Sequence, residues 1–184
     1  MNNVDIIKNK EDIDKIKKIL IQSSYRNYLM FVIGINTGLR ISQILGLKTS
    51  DLITDSKRIK DNVYFNNICY PFNDLVKNEI ISYLIKNKYN SNEDIYIFKS
   101  KKGDNPIERT QAYRILKKAC KKAGVDINFG THTLRKTFGY HFYLQFKDVK
   151  YLQKLFNHSS VQTTLNYIGL KQENDGIEYE AFKL

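Results

Sequence analysis

Between Glu11 and Ile21 the apolar residues Ile13, Ile16, Ile19 and Leu20 recur at helical spacing with lysines between them, which predicts an amphipathic helix. A more apolar helix is expected from Ser24 to Asn36, stopped by Gly38, because glycine accepts the backbone conformation a helix end needs. Arg40 then stands at the head of a short helix, Ile41 to Leu47. From Arg58 to Phe72 the helical period disappears, the segment becomes rich in Val, Tyr, Phe and Ile, and Asn66-Asn67 interrupts it. That pattern predicts two short antiparallel strands joined by a turn. Asn73 or Asp74 can cap the next helix, with Val76, Ile80, Ile81, Leu84 and Ile85 expected as its buried stripe. Tyr96 to Phe98 reads as extended and Ser100 to Asp104 as a basic turn, followed by a helix capped by Thr110, running through Lys122 and stopped by Gly124. Three more helices are predicted at Leu134 to Gln145, Asp148 to Phe156 and Val161 to Ile168. The fold class is therefore mainly α with one small antiparallel β-sheet (α+β).

The chain has 184 residues, 42% of them hydrophobic, which suits one domain, 1–184, with a sizeable core. Two prolines, Pro71 and Pro106, and the lack of any repeat or low-complexity stretch argue against a linker. Charge narrows the partner classes more than length does. Thirty Lys and Arg against nineteen Asp and Glu leave +11, so the field of the molecule attracts polyanions, nucleic acid foremost. A basic protein with no such partner is the alternative reading of charge alone. Cys69 and Cys120 are far apart and suggest neither a disulfide framework nor a thiolate metal site, and a reducing cytoplasm fits them. The longest apolar run, Tyr28 to Ile35, is far short of the roughly 20 residues that span a bilayer, and no charged-then-apolar leader stands at Met1. A cytoplasmic protein with no membrane partner is expected.

The three histidines, His132, His141 and His158, match no zinc spacing, so no metal is expected. His132 and Arg135 are three apart and share a face at a helix start, where backbone N–H groups also favour an anion. Tyr167 follows His158 by nine residues. Only about 0.1% of an ordinary tyrosine is phenolate at neutral pH, so a nucleophilic one needs charge stabilisation or a base, which arginine and histidine supply. His141 follows Arg135 by six positions and points to a different face, where packing or surface exposure is expected. Arg114, Lys117, Lys118, Lys121 and Lys122 surround an apolar stripe on one helix, and Lys101-Lys102 flank Gly103. These cations read equally as solvated surface or as phosphate contacts on DNA.

These residues resemble the tyrosine recombinases, or phage integrases, over nearly the whole chain, from about Lys8 to Gly169. Thr37-Gly38-Leu39-Arg40 looks like the family's first arginine box, and His132-Thr133-Leu134-Arg135 like its histidine-x-x-arginine box. Leu155-Phe156-Asn157-His158-Ser159 through Tyr167 is similar to its final histidine and nucleophile. The resemblance implies that Arg40, His132, Arg135 and His158 surround one scissile phosphate of double-stranded DNA. Tyr167 then attacks it, leaving a 3′-phosphotyrosyl link and a free 5′-hydroxyl, with no cofactor. It further implies a homo-multimer on paired sites, with accessory DNA-bending proteins as further candidate partners.

Two positions depart from the family pattern. The hairpin segment from Asn62 to Asn67 lacks the lysine that protonates the leaving oxygen in the family, and Lys60, then Lys57, are the nearest candidates. Gln43 stands where an acidic residue often steadies the site. A general acid contributes typically 100- to 10,000-fold, so these departures keep open a DNA-binding relative with little or no turnover that regulates a mobile element. A relaxing enzyme of topoisomerase type is a third reading. Residues 170–184, with Ile177, Tyr179, Phe182 and Leu184, are a candidate docking segment onto a neighbouring protomer. The chain length leaves no room for the separate amino-terminal clamping domain of most relatives, so weak, salt-dependent monomer binding is expected.

Overall fold

The computed structural model describes residues 4–89, 93–101 and 103–170. Helix α1 (Lys10–Ser23) starts at Asn9, whose side-chain oxygen accepts the Glu11 N–H at 2.8 Å, and it buries Ile13, Ile16 and Leu20. Helix α2 (Tyr25–Thr37) buries nearly its whole length from Asn27 to Gly34, so it is a core helix packed on several sides. Gly38 ends it with φ 72°, a left-handed conformation that a side chain would strain. Helix α3 (Ile41–Leu45) follows, stopped by Gly46 before the predicted Leu47. A single-turn helix α4 (Thr49–Leu52), not predicted, is closed by Asp51 accepting the Lys48 N–H at 2.9 Å.

Strands β1 (Asn62–Phe65) and β2 (Ile68–Pro71) pair antiparallel from Asn62↔Pro71 to Phe65↔Ile68. The predicted turn is there: Asn66 and Asn67 have φ 49° and 61°, the two positive values a tight two-residue hairpin requires. The register sends Val63 and Tyr70 inward and Tyr64 and Cys69 outward.

Helix α5 (Asp74–Lys86) is capped by Asn73, but its predicted stripe needs correction. Val76, Ile80 and Tyr83 are buried, whereas Ile81 is 41% and Ile85 73% exposed. The cause is angular: at 3.6 residues per turn, Ile81 and Ile85 lie about 100° and 140° around the helix from Ile80, too far for one face. The extended piece Tyr96–Phe98 is tied to the core by Ile97 N–H to Leu47 O at 2.9 Å. Helix α6 (Arg109–Lys122) begins after Glu108, so Thr110 lies inside its first turn rather than capping it, and Gly124 follows with φ 70°. Helices α7 (Thr133–Phe146), α8 (Val149–Phe156) and α9 (Val161–Tyr167) complete the mainly helical fold.

Helix α7 packs across α2, and Gly34 permits the approach. The N-terminal segment is laced onto α7: Ile7 N–H donates to Thr137 Oγ1 at 3.1 Å, and Lys136 Nζ to Val4 O at 2.7 Å. His141 belongs to this lacing, with Nε2 donating to Ile7 O at 2.9 Å, in keeping with a packing role. The candidate docking segment beyond Leu170 and Lys102 lie outside the described residues. No described helix is long and apolar enough to cross a membrane.

A Cβ added at Gly34 would stand 2.5 Å from Leu134 Cδ1 and 3.1 Å from Leu134 Cβ, the latter fixed to the α7 backbone. Gly34→Ala should therefore force α2 and α7 apart and lower stability by about 1–3 kcal/mol, read as an earlier midpoint in urea unfolding.

Candidate active site

Three breaks between helices supply the site. At the first, Gly38 turns the chain and buried Leu39 anchors it, leaving Arg40 extended and exposed at the head of α3. Gln43 reaches back to accept the Arg40 N–H at 2.8 Å, so its amide steadies the backbone that carries the guanidinium. The second break places His132 at the N-cap of α7 with Arg135 one turn later. The third places His158 just beyond the end of α8, where Asn157 turns with φ 56°, and α9 then ends on Tyr167.

Arg135 is 3% exposed, and its guanidinium is held from several sides. Nη1 donates to Gly38 O, Nη2 donates to Leu155 O at 3.2 Å, and Cζ lies 4.4 Å from the centre of the Phe156 ring. The Tyr70 hydroxyl donates to the same Leu155 O at 3.4 Å, and its closeness to the guanidinium favours the charge against the burial that lowers its pKa. These contacts bring the α2–α3 junction, α7, α8 and β2 to one point.

Tyr167 Oη lies 3.0 Å from His132 Nδ1, with the two rings perpendicular. Phe156 and His158 pack their rings against Tyr167 at 5.4 and 5.0 Å between centroids. Lys136 Nζ sits 5.7 Å from the tyrosine ring centre. The Tyr167 pKa is pushed up to about 12 by burial, with the Arg135 and Arg40 charges pulling the other way. The phenol therefore keeps its proton at neutral pH, and the His132 ring nitrogen is its hydrogen-bond partner. His158 Nδ1 lies 3.1 Å from Thr164 Oγ1 on α9. Both His132 and His158 are lowered from their ordinary values by burial and then by Arg135 and Arg40.

Arg135, His132, His158 and Tyr167 thus form one connected cluster, and Arg40 faces it closely enough to act on both histidines and the tyrosine. Lys60 is engaged elsewhere, its Nζ donating to Ser50 O at 2.7 Å beside α4. The hairpin turn carries Asn66 and Asn67, and its outward neighbours are Tyr64 and Cys69. Sequence reasoning missed Tyr70, Phe156 and Thr164, which hold the site from β2, α8 and α9. Tyr70 had a local signal in its inward position in an alternating strand, and Phe156 stood within the box that holds His158. It also missed Gly139, where a Cβ would come within 2.7 Å of Ile168 Cγ2 and 2.9 Å of the Phe156 ring. The absence of a side chain there lets the end of α9 settle against α7.

Arg114, Lys117, Lys118 and Lys121 are all exposed on α6, with Lys117 Nζ 3.1 Å from Tyr113 Oη. Arg114 also lines a polar cleft of about 1000 Å³ together with Lys101, Arg26 and the first turn of α6. Among the described residues no group of three or more His, Cys, Asp or Glu side chains is placed to hold a metal ion.

Residues 8–174 match the phage integrase family. The chain is 39% identical over 189 residues to the probable integrase/recombinase YoeC of Bacillus subtilis (strain 168), covering 99% of this chain and 98% of that protein. It is 32% identical over 135 residues to the tyrosine recombinase XerD of Corynebacterium glutamicum, covering 71% of this chain and 44% of the relative. Among solved structures, XerA recombinase superposes with a TM-score of 0.74 at 22% identity, over 93% of this chain and 61% of that one. The catalytic domain of bacteriophage HP1 integrase superposes with a TM-score of 0.58 at 20% identity, over 92% and 90% of the two chains. The chain therefore spans nearly all of YoeC but less than two thirds of the XerD and XerA proteins.

The lowered histidines make stability depend on pH. Each binds its proton less readily in the folded protein than in the unfolded chain, so its contribution is present above about pH 6.5 and is lost as the pH falls through the folded value. Calorimetry of the free protein should show Tm falling on acidification below about pH 6.5, with a shallower fall in the double variant His132→Gln, His158→Gln.

Proposed function

Because the chain belongs to the phage integrase family of tyrosine recombinases, enzymes that cleave and rejoin DNA, we propose that it is a site-specific DNA recombinase acting through Tyr167. The observation that carries this reading is the contact between Tyr167 Oη and His132 Nδ1, 3.0 Å, inside a cluster that also holds Arg135 and His158. A nucleophile, a base and a fixed cation share one small site.

In this mechanism a DNA phosphodiester sits among Arg40, Arg135 and the two histidines. Tyr167 Oη attacks phosphorus as its proton passes to His132 Nδ1. The P–O5′ bond breaks, leaving a 3′-phosphotyrosine, and the departing 5′-oxygen takes a proton to become a hydroxyl. The pentacoordinate transition state carries more charge than the diester, so arginines fixed in advance stabilise it more than the ground state. Reversal by a second 5′-hydroxyl rejoins the strand, and paired exchanges between two duplexes recombine them. Lys60 must leave Ser50 O to serve as the proton donor for the leaving oxygen.

Double-stranded DNA is the partner this reading requires, and the exposed α6 cations with Lys101 and Lys102 are the surface it assigns to the flanking phosphates. Recombination of paired sites calls for a multimer, with the segment beyond Leu170 as the candidate link between protomers and DNA-bending proteins as candidate accessories. The net charge of +11 suits such a partner, and the two free cysteines, Cys69 and Cys120, fit a protein that works in a reducing cytoplasm.

A nicked suicide duplex carrying the recombination site should trap a covalent adduct with the wild-type protein, and Tyr167→Phe should abolish it. An adduct that survives this substitution would remove Tyr167 as nucleophile. Salt-sensitive binding without any adduct would favour the binding-only reading. Arg135→Lys should slow adduct formation on the order of 100-fold or more, because lysine cannot serve two carbonyls and a phosphate with one rigid fork. Arg114→Ala and Lys118→Ala should each reduce the salt slope of log K by about 1 if those side chains meet phosphates, measured by fluorescence anisotropy across a salt series. An unchanged slope would make the helix face solvated surface.

A further inference from the structure

Thr164 is fully buried and carries no charge, yet it makes the only protein hydrogen bond to the His158 ring among the described residues. Its hydroxyl oxygen lies 3.2 Å from the O of Ser160, the N-cap of α9, and 3.1 Å from His158 Nδ1. Two oxygens at that separation attract only with a proton between them, and of the two groups only the hydroxyl has one. A hydroxyl is a single donor with two acceptor lone pairs. Once its proton lies toward Ser160 O, it can only accept from His158, so Nδ1 must carry the hydrogen. Neutral imidazole has one N–H, so Nε2 is then a bare acceptor, and it becomes a donor only when the ring is doubly protonated.

We propose that Thr164 is a positioning residue that holds His158 in its Nδ1–H form, so that His158 donates a hydrogen bond to the scissile phosphate only as imidazolium. This rests on the recombinase reading for the phosphate and on the free structure for the tautomer. The two histidines of the site then have opposite tasks. His132 faces the tyrosine through Nδ1 and takes a proton, whereas His158 brings a proton to the phosphate through Nε2.

The surroundings of His158 set the consequence. Arg135 from α7 and Arg40 from the head of α3 are the charges that act on it, both positive. Tyr167 from α9 packs its ring 5.0 Å away, and Phe156 of α8 packs at 5.4 Å. Tyr70 of β2 lies beyond, on Arg135. In the free protein burial and the arginines keep the ring neutral, and the negative phosphodiester supplies the opposing charge that favours imidazolium. Cleavage should accordingly decline as pH rises through the His158 pKa of the DNA complex.

The tautomer can be read without DNA. With three histidines in the chain, a long-range proton–nitrogen correlation spectrum of the full-length protein at mildly alkaline pH should show His158 protonated at Nδ1. Thr164→Ser should keep that pattern, and Thr164→Val should shift His158 toward the Nε2–H form. An Nε2–H tautomer in the wild type, or an unchanged tautomer in a folded Thr164→Val, would overturn the proposal. Thr164→Ser and the wild-type spectrum still decide it if Thr164→Val does not fold. On the suicide duplex, single-turnover adduct formation by Thr164→Val should slow by about 10- to 100-fold, the usual range for losing the partner that orients a histidine. Its alkaline decline should also soften, because the neutral ring can now donate, and His158→Gln, whose amide donates without titrating, should lose that decline altogether. A decline that persists in His158→Gln would overturn the assignment to His158. A wild type that forms no adduct at any pH, while showing the Nδ1–H tautomer, would count against the recombinase reading and leave the tautomer assignment standing.

Discussion

The buried guanidinium of Arg135 is the constraint around which the rest of this structure is arranged. Removing a cation from water is penalised by several kcal/mol unless its donors are satisfied. Here the acceptors come from helix ends: Gly38 caps α2, and Leu155 is the penultimate residue of α8. Carbonyls at such ends lack partners within their own helix and carry the negative end of its dipole. The cation and the helix termini therefore solve each other's problem. Phe156 closes one face of the guanidinium and the Tyr70 hydroxyl stands beside it, bonded to the same Leu155 O. The guanidinium is thus also a joint between four elements, so its geometry is as firm as the core.

That joint leaves the charges of the site unbalanced. Arg135 and Arg40 push both histidines toward neutrality and pull the tyrosine toward ionisation, while burial holds its proton on. Every one of these tensions is relieved by a single negative charge placed among them. An anion is therefore suited to the site by what the residues do to one another.

Much of this was legible in the sequence, and the part that was not has a common cause. The helices and the hairpin announced themselves through local signals: the 3.6-residue period, the Asn66-Asn67 turn, and glycines at 38 and 124. Arg40, His132, Arg135, His158 and Tyr167 stood in segments compact enough to be read as boxes. What escaped was whatever depends on contact between elements. Tyr70 looks like any inward strand residue until β2 is laid over α8, and Thr164 like any cap-proximal threonine until α9 folds back on His158. The single turn α4 is held by one aspartate and is too short for periodicity to register. The predicted α5 stripe is too wide because it takes in Ile81 and Ile85, which face outward, and it leaves out the buried Tyr83. Thr110 is a residue type that favours caps, but the helix begins one residue before it, after Glu108.

The close seat at Gly139 bears on how such a chain can change over generations. Alanine at this position meets Ile168 Cγ2 and the Phe156 ring together. The first obstacle can be cleared beforehand by replacing Ile168 with leucine, which lacks the β-branch. The second cannot, because the same ring floors Arg135 at 4.4 Å, and trimming it would loosen the guanidinium. Glycine at 139 and arginine at 135 are consequently coupled through one ring: a side chain at the first would displace the surface on which the second rests.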